Sequence, residues 1–178
     1  ALRGGNIADA KRRYTALVAA DGTNLDARLG LATSLARGGE VPAAVKEYRK
    51  ALEIDPQNST ALTALLVLAD ARTLPALESD LRSMLSRFPE SAPLHFALGN
   101  ALSTQSRWTE AQQSYFDAWR LETDNADYAF NLAVSLDQLR QVRLAQDYYQ
   151  KALALAGRNS AQLDRKQVER RLNELRAA

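Results

Sequence analysis

Chemistry near neutral pH would have to begin at His95, the only histidine in the chain. A lone imidazole removes every metal site built on paired histidines. With no Cys, a disulfide framework, a thiolate metal site and a cysteine nucleophile are all excluded. The phosphate-cradling Gly-x4-Gly-Lys-Ser/Thr, a strand-borne Gly-x-Gly-x2-Gly and the zinc-binding His-Glu-x2-His are absent. Gly4-Gly5 and Gly38-Gly39 sit at matching turns of a repeated pattern, which accounts for them without a phosphate. Asn58-Ser59-Thr60 fits a glycosylation sequon, and a helix cap explains it better. The reading is therefore a non-enzyme with no catalytic set, no metal and no cofactor.

Composition sets only broad bounds. Hydrophobic residues make up 46% and charged residues 25% of 178, ordinary for a globular chain. A net charge of +2 is too small to suggest a nucleic-acid partner. No apolar run approaches the roughly 18 residues of a membrane span, so direct membrane insertion is not expected. Eighteen Arg against five Lys is a bias of GC-rich bacteria. The compartment stays open, with bacterial cytoplasm or periplasm the expectation.

One pattern organises the chain. Ala111-x3-Tyr115-x2-Ala118 returns 34 residues later as Ala145-x3-Tyr149-x2-Ala152, and earlier as Ala44-x3-Tyr48-x2-Ala51 and Ala10-x3-Tyr14-x2-Leu17. Each copy marks the second helix of a helical hairpin. Residues 1–24 hold a second helix only, closed by Asp21-Gly22-Thr23-Asn24, so the chain reads as a piece of something longer. Complete hairpins are expected at 25–58, 59–91, 92–125 and 126–159, the last closed by Gly157-Arg158-Asn159. Residues 160–178 form a terminal helix with one apolar stripe: Ala161, Leu163, Val168, Leu172 and Leu175. Its Arg165–Arg176 face reads as solvated.

The copy at 59–91 is degenerate. Leu62, Leu65, Leu66 and Ala69 mark its first helix, but Leu77 stands where the others place a small Ala. One residue is missing between the helices, near Arg72–Pro75. A local change of packing is expected there.

These residues resemble the tetratricopeptide repeat, a helix–turn–helix unit of about 34 residues. His95, Leu98, Gly99, Leu102, Ala111, Tyr115 and Ala118 fit the family pattern, with Thr123 replacing its closing Pro. The large-residue slot that His95 fills makes packing its role. The resemblance implies an all-α, right-handed α-solenoid of stacked hairpins with a C-terminal capping helix, forming a single domain over residues 1–178. It also implies that first helices line a concave groove. Family positions facing it are Asp26, Leu29, Thr33 and Arg37; then Thr63, Val67 and Asp70; then Phe96, Asn100 and Ser103; then Asp127, Phe130, Asn131, Val134 and Asp137. Only Asn131 and Arg37 match the carboxylate clamp known in some members. Phe96 and Phe130, one repeat apart, either form an apolar shelf for a peptide or pack between repeats. Trp119 is expected in the stack and Trp108 over a turn.

Function follows as three expectations. The first is a scaffold whose groove holds a peptide or partner protein. The second is self-association as a homo-oligomer through the uncovered first helix. The third is an accessory segment of an enzyme whose catalytic part lies elsewhere. Asp127–Leu136 with Asp147-Tyr148-Tyr149 is similar to repeat domains of bacterial pilus-assembly and secretion proteins.

Overall fold

The computed structural model describes residues 7–159 and 164–177. The Gly4-Gly5 turn and the start of the terminal stripe, Ala161 and Leu163, lie outside them. Among the described residues there are ten helices and no strand: α1 (Ile7–Ala20), α2 (Leu25–Arg37), α3 (Val41–Ile54), α4 (Ser59–Leu68), α5 (Leu74–Arg87), α6 (Ala92–Thr104), α7 (Trp108–Leu121), α8 (Ala126–Gln138), α9 (Val142–Asn159) and α10 (Arg165–Ala177). The fold is all-α and of the helical-repeat class. Two compact units divide the chain, residues 1–77 and 78–178. No helix of the described residues is long and apolar enough to cross a membrane.

First helices start at side-chain caps. Asn24, Asn58, Ser91 and Asn125 each accept a backbone N–H from the first turn of α2, α4, α6 and α8, satisfying a donor that the helix itself cannot pair. Second helices bury the repeated Ala and Tyr: Ala44, Tyr48 and Ala51; Ala111, Tyr115 and Ala118; Ala145, Tyr149 and Ala152. The alanines allow close approach of the helices, and each Tyr fills the space one turn on.

The turn inside three hairpins repeats to the residue. Gly39, Ser106 and Arg140 all take positive φ, at 80°, 57° and 60°. The next N–H then reaches back to a carbonyl five residues earlier: Glu40 to Leu35, Arg107 to Leu102 and Gln141 to Leu136. This is a Schellman-type helix end. Gly39 takes the left-handed conformation without steric cost; Ser106 and Arg140 are held there by the hairpin around them.

The degenerate copy abandons this turn. α4 stops at Leu68 and Ala69 is extended, with ψ at 136°. Ala69 therefore caps the first helix instead of belonging to its packed face. Asp70 Oδ1 gathers the N–H of Arg72 and Thr73 and the Thr73 hydroxyl. That local turn launches α5 at Leu74, placing Pro75 in its first turn, where no N–H is needed. The connection spans residues 69–73, so Leu74 and Pro75 belong to α5 rather than to the turn.

In the unit covering residues 78–178, charged groups tie α5 to the start of α7. Glu78 accepts from Arg107 at 2.6 Å, and from Arg82 and Gln105 at 3.0 Å. Burial pulls the Glu78 carboxyl upward, but these hydrogen bonds outweigh it and hold it below the usual range.

At the chain's end α9 runs through Gly157 to Asn159. A single interior Gly costs only about 1 kcal/mol against Ala, too little to stop a helix with favourable residues on both sides. The Arg165–Arg176 face is mostly exposed, and two of its arginines also reach the preceding helices. Arg171 makes a two-pronged pair with Asp137 on α8 at 2.7 and 2.9 Å, and Arg165 donates to the Leu153 carbonyl. Val168, Leu172 and Leu175 are buried, giving α10 the one-sided character of a cap.

Candidate partner-binding faces

The residues expected on first-helix faces fall in both units. In residues 1–77 the face carries Asp26, Leu29, Thr33 and Arg37 on α2, with Thr63 and Val67 on α4. Asp26, Arg37, Thr63 and Val67 are exposed, and Leu29 and Thr33 half-buried. In residues 78–178 it carries Phe96 and Asn100 on α6, with Asp127, Phe130, Asn131 and Val134 on α8, all half-buried.

Several of these polar groups already have work inside the hairpin. Tyr48 Oη and Thr33 Oγ1 share a hydrogen bond of 3.0 Å. Tyr115 donates to Asn100 Oδ1 at 2.8 Å and lies 3.0 Å from Ser103 Oγ. Tyr149 donates to Asp137 Oδ2 at 3.3 Å. The reason is general: a buried Tyr hydroxyl needs a partner, and the helix face opposite supplies one. In the last hairpin Val134 occupies the slot of Thr33 and Asn100, so the hydroxyl turns to Asp137, one turn further. Burial pushes the Tyr115 hydroxyl up to about 12, so it remains a donor at every physiological pH.

The aromatic residues divide in the same way. Phe96 packs against Tyr115 and Tyr128, with ring centroids 5.7 and 4.8 Å apart, and belongs to a cluster with Ala92 and Ala118. Phe130 meets Tyr149 at 6.0 Å and, with Val134 and Asp137, lines a cavity of about 330 Å³ closed on one side by Val168 and Arg171 of α10. Arg171 holds the Asp137 carboxyl below the ordinary range. Asp127 goes the other way: burial raises its carboxyl. Asn131 donates to the Asp127 carbonyl at 2.9 Å.

The remaining candidates are structural. His95 Nε2 lies 2.8 Å from the Pro89 carbonyl. Trp119 packs edge-on to Tyr148 at 5.2 Å, with the Lys151 ammonium over both rings, and its buried Nε1 has no partner among the described residues. Among those residues no group of His, Asp and Glu could hold a metal ion. Sequence reasoning missed the hydroxyl pairs, although a Tyr recurring at a buried position is itself the signal that an acceptor lies opposite.

A model of the tetratricopeptide repeat matches residues 1–59 and another matches residues 126–159, together a little over half of the chain. The chain belongs to the tetratricopeptide repeat family. It is 29% identical over 133 residues to the type IV pilus assembly protein PilF of Pseudomonas aeruginosa, covering 73% of this chain and 53% of that protein. It is 26% identical over 167 residues to a probable UDP-N-acetylglucosamine–peptide N-acetylglucosaminyltransferase, SPINDLY, of Hordeum vulgare, covering 85% of this chain and 18% of that one. The tetratricopeptide chain thus spans about half, or less than a fifth, of these relatives. Among solved structures, P. aeruginosa PilF superposes with a TM-score of 0.69 at 22% identity, covering 97% of this chain and 78% of PilF. MamA of Desulfovibrio magneticus RS-1 gives 0.63 at 17%, covering 89% and 91%. At these identities the structural likeness speaks for the fold.

Proposed function

We propose that the first-helix faces of this tetratricopeptide protein hold a peptide or partner protein in a bacterial envelope assembly of the pilus or secretion kind. The observation that carries the reading is Val67. It stands 78% exposed on α4, a β-branched apolar side chain that contributes little to the hairpin and gains most when another surface covers it. The similarity to PilF supports the envelope setting. Asp127 suggests the partner's chemistry, because a cation or N–H brought to it would favour the charged form that burial disfavours. Apolar residues interspersed with Lys or Arg fit both faces.

Partners captured from a bacterial envelope extract, identified by mass spectrometry and titrated individually, test this. Val67→Glu, and separately Asp127→Asn, should weaken binding about tenfold with helicity unchanged by circular dichroism. Affinity that survives both substitutions contradicts the proposal.

A second reading has its own support. The similarity to the barley transferase, of which this chain spans 18%, favours a repeat segment that presents substrates to a catalytic domain. A parent chain carrying such a domain would decide for it.

A further inference from the structure

A polar clasp with a spacing of 29 residues joins second helices to the segment that follows them. Lys11 pairs with Glu40 at 2.6 Å, Glu78 accepts from Arg107 at 2.6 Å, and Gln146 donates to the Leu175 carbonyl at 2.8 Å. The corresponding residue on α3 is Val45, the one apolar side chain at a position that elsewhere reads Lys11, Glu78, Gln112 and Gln146. Twenty-nine residues on stands Leu74, also apolar and buried. No hydrogen bond can form between them.

A second departure falls at the same place. Leu35, Leu102 and Leu136 are buried at the end of the first helix in the other hairpins. Here that position reads Ala69, which ends α4 in extended backbone, so no leucine side chain is placed there. Deleted core volume is either collapsed or left as space. Collapse is resisted because Leu66 and Leu77 are bulky where the pattern has Gly or Ala.

The result is a cleft of about 520 Å³ between α3, α4 and the first turn of α5, wholly within residues 1–77. Val41, Val45, Leu68, Ala69 and Leu77 give it apolar walls, and Arg49 and Arg72 line it as well. Its one acidic residue, Asp70, spends a carboxylate oxygen on the turn, accepting from Arg72 N, Thr73 N and Thr73 Oγ1. Arg72 sets a guanidinium beside this apolar floor.

We propose that this cleft is a second recognition site, distinct from the first-helix faces, that seats one large apolar side chain of a partner polypeptide with a carboxylate beside it. The apolar side chain packs against Val41, Val45, Leu68, Ala69 and Leu77. The neighbouring Asp, Glu or terminal carboxylate meets the guanidinium of Arg72, which favours a polypeptide of opposite charge.

The test selects short random peptides displayed on phage against the immobilised protein, then titrates the synthesised, dye-labelled winners. The expected winners place Leu, Ile, Phe or Trp next to an acid. Their affinity should fall at least about tenfold on Ala69→Leu, on Val45→Gln and on Arg72→Glu. The first two restore residues found in the sister copies, and a melting temperature at or above that of the parent shows an intact fold. If Ala69→Leu lowers it, Val45→Gln carries the steric arm. Peptides that bind all three variants as tightly as the parent overturn the proposal. So does a peptide whose binding responds only to Val67→Glu, which would place it on the α4 face.

Discussion

Leu132→Ala lowers the stability of the α8–α9 hairpin by about 2–5 kcal/mol, a fall in melting temperature on the order of 10 °C by circular dichroism. Leu132 on α8 is 0% exposed. Ala129, Ala133, Ala145 and Ala152 are buried on the same two helices, and none has a side chain able to swing into vacated space. Leu144→Ala on α9 removes the same atoms from a side chain 48% exposed, and should cost about 0.5 kcal/mol or less. The contrast separates burial from composition.

Ala111→Leu is expected to cost about 1–3 kcal/mol, with α6 and α7 pushed apart. α6 approaches so closely that a Cβ on Gly99 would lie 2.6 Å from the Tyr115 ring. Three extra carbons on a fully buried Ala111 have nowhere to go unless the helices separate. Separation would also stretch the bond from Tyr115 to Asn100 and expose a hydroxyl that burial now holds as a donor. The natural counterpart of this substitution is Leu77 in the degenerate copy, where α4 is short and a cleft lies beside it. Near-ultraviolet circular dichroism of the Tyr115 environment, together with thermal denaturation, checks the effect.

The helices and their order were legible because the Ala-x3-Tyr-x2-Ala spacing needs only one physical fact: small residues meet where helices are closest. Caps such as Asn24 and Asn58 were legible for the same local reason. What escaped depends on partners distant in sequence. Asp137 and Arg171 are separated by a full repeat, and nothing in either residue's own neighbourhood announces the pair. Ser106 and Arg140 gave no hint of a left-handed turn, since neither is Gly or Asn; only the neighbouring copy with Gly39 reveals it. Ala69 was placed on the first helix by register, whereas the turn chemistry of Asp70 and Thr73 ends that helix one residue earlier. At the candidate faces, sequence located accessible positions but not their commitments. Thr33 and Asn100 answer buried tyrosines, Phe96 packs on Tyr128, and Val67 stays exposed.

The most direct test of the account is native-state hydrogen exchange resolved by residue. The claim is that hairpins closed by small residues and a bonded Tyr are the stable bricks of this chain, and that the copy with Leu66, Ala69 and Leu77 is the loose one. Strongest protection is expected in α6–α9, led by the amides around Leu102 and Leu132, with α4 among the first elements to exchange. Uniform protection across all hairpins, or α4 exchanging last, would contradict it.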